Sequence, residues 1–174
     1  MNEVFSETGH SLFILRNVIL HEWEVLVREV IKSAKHSSSI ILHDHIPEIL
    51  DQLEAILRDE RIDEAELGKS HGYFRATLTN FSMADLLTEY SLLREVLLTY
   101  LYPMGSMECA KVIHKYIDII SKYSVIEYLN GQITHRTLSL EASGDESTEL
   151  ERNPVMKPKE PSERPRFSPS SPKL

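Results

Sequence analysis

The chain has 174 residues, 41% apolar and 26% charged, and its 19 basic against 27 acidic side chains give a formal charge of −8. That is mass for one core, and the acidic surplus excludes a general nucleic-acid binder, whose phosphate contacts need an excess of Lys and Arg. A single cysteine, Cys109, excludes an internal disulfide and fits a reducing compartment.

The first predicted element is a helix carrying Leu12, Leu15, Ile19, Trp23, Leu26 and Val30 on one stripe. It is no membrane span, because Arg16 and Asn17 interrupt it well short of about 18 apolar residues. Nor does it read as a secretory leader, since Glu3 and Glu7 precede it. After the hydroxyl-rich turn Lys35 to Ser39, a second stripe runs Leu42, Ile46, Ile49, Leu53 and Ile56. Pro47 within it favours a helix start at Asp44-His45, because proline is tolerated in the first turn and kinks a helix further in. A third stripe is Leu67, His71, Phe74, Leu78 and Phe81. Ser82 with Asp85 three residues on makes an acidic helix start for a fourth, Leu86, Tyr90, Leu93, Leu97 and Leu101. Pro103 ends it and Ser106 caps the fifth, which carries Cys109, Ile113, Tyr116, Ile117, Ile120 and Ser124 and stops near Asn130-Gly131. Strand alternation is absent. Residues 1–137 are therefore expected to be one all-α domain, an antiparallel helical bundle or a globin-like packing of about five helices.

Six of the eight prolines fall in the last 21 residues, and large apolar residues thin out from Glu141. Such a stretch buries too little surface to offset its backbone entropy, so residues 138–174 are expected to form a disordered, proline-rich tail. The acidity belongs to the domain, which keeps a charge of −7 without the tail.

Little in the sequence looks catalytic. No two of the eight histidines show the four-residue spacing that aligns a pair on one helical face, and His43 and His45 would converge only in a turn. No metal or other cofactor is expected. His71 on its apolar stripe reads as a hydrogen-bonded core histidine rather than a haem ligand. There is no nucleophile elbow and no phosphate-cradling glycine loop. The informative constellation is polar residues threaded through apolar stripes: His71, Arg75, Glu89, Tyr90, Arg94 and Asp118. Arg75 or Arg94 could bridge to Glu89 or Asp118, either fixing helix register or forming a small polar pocket for a signal.

The same residues carry a resemblance. Asp44-His45-Ile46-Pro47 followed by Ile49-Leu50 resembles the "DHIP-x-LL" helix start of the N-terminal sensory domain of RsbRD-type stressosome co-antagonists and related bacterial sensor histidine kinases. His71-Gly72-Tyr73-Phe74-Arg75 resembles its "HG-x-x-R" element, and Leu86-Leu87-Thr88-Glu89-Tyr90-Ser91-Leu92-Leu93-Arg94 its "LL-x-EY-x-LLR" element. Ile117-Asp118 with Ser124-Val125 and Tyr128 is similar to the end of that domain. The resemblance covers about residues 12–130. It implies a cytoplasmic, all-helical module of bacterial signal transduction without enzyme activity of its own. Its partners would be a signalling protein such as a histidine kinase or stressosome component, or a second copy. Relatives usually continue into a second domain, where this chain has its proline-rich segment. Two other readings of the residues are a histidine phosphotransfer protein using His71 and a sensor half working in trans with a kinase.

Overall fold

The computed structural model describes the backbone of residues 3–148 apart from positions 61 and 104, and the side chains of residues 4–137 apart from 61, 104, 135 and 136. The described residues are helical throughout, with no strand. They form five long helices, α1 (Glu3–Val30), α3 (Ile46–Leu57), α4 (Glu64–Thr77), α5 (Met83–Leu101) and α6 (Met107–Thr148), and between α1 and α3 lie a 3-10 turn at Lys32–Ala34 and the short α2 (Ser39–His43). The chain divides into two units, Met1–Ser139 and Leu140–Leu174. Everything described below lies in the first. The helix α6 is described to Thr148, and positions 149–174, most of the expected tail, lie outside the described residues. No helix among the described residues is long and apolar enough to cross a membrane.

α1 packs against α3 and α5. Its stripe holds through Leu12, Ile19 and Trp23 but then advances by fours, so that Val27 and Ile31 are buried while Val30 is exposed. The α5 stripe is buried at Leu86, Tyr90, Leu93, Leu97 and Leu101, and the α6 stripe from Cys109 through Ile120 to Ser124. The helix starts follow their side chains. Ser82 and Asp85 form a reciprocal capping box on α5, and Ser106 Oγ accepts from the Cys109 amide at 3.3 Å. Pro47 stands in the first turn of α3, with His45 at the cap position.

Two expectations are corrected. α4 ends at Thr77, and its buried face is Gly68, His71, Gly72, Arg75 and Ala76 rather than the apolar stripe to Phe81. This face meets α6 at close range: a methyl group on Gly68 would lie 2.7 Å from the Ile120 carbonyl oxygen, and one on Gly72 would lie 2.6 Å from the Ser124 carbonyl carbon. Two small residues one turn apart are what lets the backbones approach. Nor does α6 stop at Asn130-Gly131. Gln132 donates to the Ala76 carbonyl at 3.1 Å and Tyr128 to the Phe81 carbonyl at 2.6 Å, so docking on the end of α4 carries the helix onward. Gly131 serves that contact, since a methyl there would meet Ala76 Cβ at 2.8 Å.

The Glu24–Arg28 pair, which by spacing alone is an ordinary solvated i,i+4 pair, binds a whole loop to α1. Glu24 accepts from Arg28 and from Ser39 Oγ, both at 2.7 Å, and meets His43 Nε2 at 2.6 Å. Arg28 also donates to the Ser37 carbonyl at 2.8 Å. Burial pushes the Glu24 carboxyl up, but hydrogen bonds from Ser39, Arg28 and His43 outweigh it and hold its pKa at about 2, against 4.5 for a free carboxyl. A depressed folded-state pKa gives stability that is complete above the unfolded value and lost as pH falls toward the folded one. The melting-temperature advantage of wild type over Glu24→Gln is therefore expected to be full above pH 4.5 and to shrink as pH drops toward 2.

Candidate functional site

The charged side chains of α4 and α5 meet in the core. Arg75 is fully buried and spends every arm of its guanidinium: Nε donates to Glu89 Oε2 at 2.9 Å, and the two terminal nitrogens donate to the Ile41 and Leu42 carbonyls at 2.7 Å each. Those carbonyls belong to the last turn of α2, where a cation is favoured because C-terminal carbonyls lack helical partners. The guanidinium also lies 5.2 Å over the Phe81 ring. Glu89 is 1% exposed, and its backbone carbonyl accepts from the Trp23 indole at 3.1 Å, which ties α1 to the same point. One residue thus joins α2, α4 and α5.

His71 sits one turn before Arg75 and is fully buried. Its Nε2 is 3.4 Å from Glu89 Oε2 and its Nδ1 is 3.7 Å from Asp44 Oδ2, without a hydrogen-bond partner. The ring packs edge-on to Tyr90 at 5.5 Å and to His45 at 6.0 Å. Asp44 ends α2 with φ 24° and ψ −105°, a strained backbone for a residue with a side chain. Its carboxylate also pairs with His45 Nδ1. Burial raises the Asp44 pKa, but the His71 and His45 rings beside it outweigh this and hold it below the ordinary aspartate value.

Tyr90 belongs to a neutral chain. Its hydroxyl meets Ser124 Oγ at 2.6 Å, and Ser124 donates to the Gly68 carbonyl at 2.6 Å, so Tyr90 is the donor to Ser124. Burial pushes the Tyr90 phenol far above its usual pKa, so it stays protonated and keeps that role.

The six residues singled out on the sequence do not form one cluster. His71, Arg75, Glu89 and Tyr90 come together; Arg94 and Asp118 form a separate pair between α5 and α6, with side chains 31% and 66% exposed. Such a pair is worth at most about 1 kcal/mol. Asp44 and His45, expected only as a helix start, join the His71 cluster, while Pro47 does not; its carbonyl accepts from Arg16 at 3.0 Å. Side-chain spacing could not reveal the carbonyls of Ile41 and Leu42 or the Trp23 indole as partners. A surface pocket lies beside Arg75. That pocket is about 260 Å³, is lined by Ser33, Ser37, Thr77 and Asn80 among others, and shares Ile41 and Phe81 with the surroundings of Arg75. A buried His71 also lacks the exposed imidazole that phosphotransfer requires.

Comparison with protein-family models, with curated proteins and with solved structures found no match for the chain. The RsbRD-type resemblance rests on the quoted motifs alone.

Proposed function

We propose that the chain is a non-catalytic sensory or adaptor module of bacterial signal transduction that acts by presenting a helix face to a protein partner. One observation carries this reading: the outer face of α1 carries a row of exposed apolar side chains among its polar ones. Behind the buried stripe, Ile14, Val18 and Val25 are 63%, 42% and 45% exposed and lie along one line of the outer face. They stand four and seven residues apart, one and two helical turns, with His21 and Glu22 in the turn between Val18 and Val25. A second copy of the chain is the simplest partner, and the motif resemblance supports a cytoplasmic signalling protein, such as a histidine kinase or stressosome component, as the other.

The sensing half of the reading follows from where Arg75 is anchored. A signal taken up in the pocket beside Ile41 and Phe81 bears directly on the loop that Arg75 holds. It would shift the bundle only through different affinities for two packings.

The test is capture from the native host with wild type and with an Ile14→Glu, Val18→Glu variant as bait. A signalling protein captured by the wild type and lost with the variant is the expected result. Equal capture by both, with the variant still folded by circular dichroism, contradicts the reading.

A further inference from the structure

We propose that Asp44, His45 and His71 bind one divalent transition-metal ion at the turn between α2 and α3. This inference is independent of the outer face of α1. One ligand atom from each residue lies within 4.8 Å of the others, although the three come from a turn and from the middle of a different helix.

The His71 ring is what points to a cation. It is fully buried between two carboxylates, Glu89 at 3.4 Å from Nε2 and Asp44 at 3.7 Å from Nδ1. A neutral imidazole has one N–H to offer. The tautomer that directs Nε2–H at Glu89 leaves the Nδ1 lone pair on the Asp44 side, free to coordinate an ion. Nδ1 of this fully buried ring has no hydrogen-bond partner, and Asp44 Oδ2, which also meets His45 Nδ1, lies on its side of the ring.

The surroundings match the support that metal-binding histidines use, in which the second ring nitrogen donates to a carboxylate that is itself held in place. Glu89 is that carboxylate, and Arg75 Nε fixes it at 2.9 Å. The same guanidinium grips the Ile41 and Leu42 carbonyls at 2.7 Å, immediately before Asp44, and so positions the turn. Asp44 holds a strained φ of 24° there, which brings its carboxylate to the ring. Ordinary metal–ligand lengths of about 2.0–2.2 Å set neighbouring donors about 3 Å apart, so small side-chain rotations close the site. Two imidazoles and one carboxylate suit Zn²⁺, Fe²⁺, Co²⁺ or Ni²⁺ rather than Ca²⁺ or Mg²⁺, and three protein donors leave coordination positions open. Access comes from the solvent side, where the Asp44 and His45 side chains are 18% and 28% exposed.

The experiment is titration of chelator-treated full-length chain with Zn²⁺ by calorimetry, and with Co²⁺ by visible absorption. One equivalent is expected to bind, and the melting temperature should rise with free Zn²⁺. His45→Gln and Asp44→Asn should each weaken binding by roughly tenfold or more. His114→Gln, on the exposed side of α6, should leave it unchanged. His45→Gln keeps the test decisive should Asp44→Asn fail to fold. Absence of one-equivalent binding, or binding unaltered by His45→Gln, overturns the proposal.

Discussion

Replacing Arg75 by methionine is expected to cost about 3–5 kcal/mol of folding stability, read as a lowered midpoint in urea with little change in slope. Methionine keeps much of the volume, so the loss is electrostatic. Glu89, 1% exposed, would be left with a buried carboxylate and no cation, and the Ile41 and Leu42 carbonyls would lose their donor. Removing one partner of a buried pair is far costlier than removing both, because the survivor keeps its desolvation penalty. The double variant Arg75→Met, Glu89→Leu is therefore expected to regain more than half of the loss. It should not regain all of it, since the two carbonyls stay unpaired. A double variant no more stable than Arg75→Met would show that the guanidinium acts mainly through those carbonyls.

Gly72→Ala is expected to destabilise by about 3 kcal/mol, against the usual gain of about 1 kcal/mol when alanine replaces a helical glycine. The added methyl would lie 2.6 Å from both the carbonyl carbon and Cα of Ser124 and closer still to its oxygen. All three are backbone atoms of α6, which can yield only if the helices part. Separation would also strain the Ser124–Gly68 hydrogen bond, and with it the Tyr90 chain. Gly9→Ala on α1 makes the contrast. There the nearest atom is Cγ of the flexible Arg58 side chain at 3.3 Å, so the propensity gain should survive and the variant should be neutral or slightly stabilised. Paired urea titrations decide between a propensity effect, which gives both variants the same sign, and close helix approach, which gives opposite signs.

These two sites also show which parts of the molecule were legible in the sequence. α5 and α6 bury long apolar side chains at helical spacing, so their stripes predict the core they form. The capping box on α5 and the proline in the first turn of α3 are local chemistry, and both appear where the residues put them. α4 was obscured because its buried face is glycine, histidine, arginine and alanine. Hydrophobic periodicity cannot report a helix that packs by small size and charge. The Gly-x-x-x-Gly spacing of Gly68 and Gly72 was the available signal for it. Asn130-Gly131 misled for a related reason: a glycine that permits a helix stop equally permits a close contact, and only the position of Ala76 decides.

The candidate site divides in the same way. Arg75 with Glu89 and Arg94 with Asp118 were foreseeable as charge partners, but charge alone could not say which pair is buried. The convergence of Asp44 and His45 with His71 depends on a positive φ at Asp44 between α2 and α3, which no spacing rule encodes.

The claim on which the functional account turns is that the outer face of α1 is a contact surface, with a second copy as its simplest occupant. Sedimentation equilibrium of wild type and of the Ile14→Glu, Val18→Glu variant, from low micromolar to near-millimolar concentration, tests it most directly. The account predicts a concentration-dependent dimer for the wild type and a monomer for the variant, with equal helix content. A wild type that stays monomeric throughout, or a variant that associates equally well, would contradict a second copy as the occupant of this face.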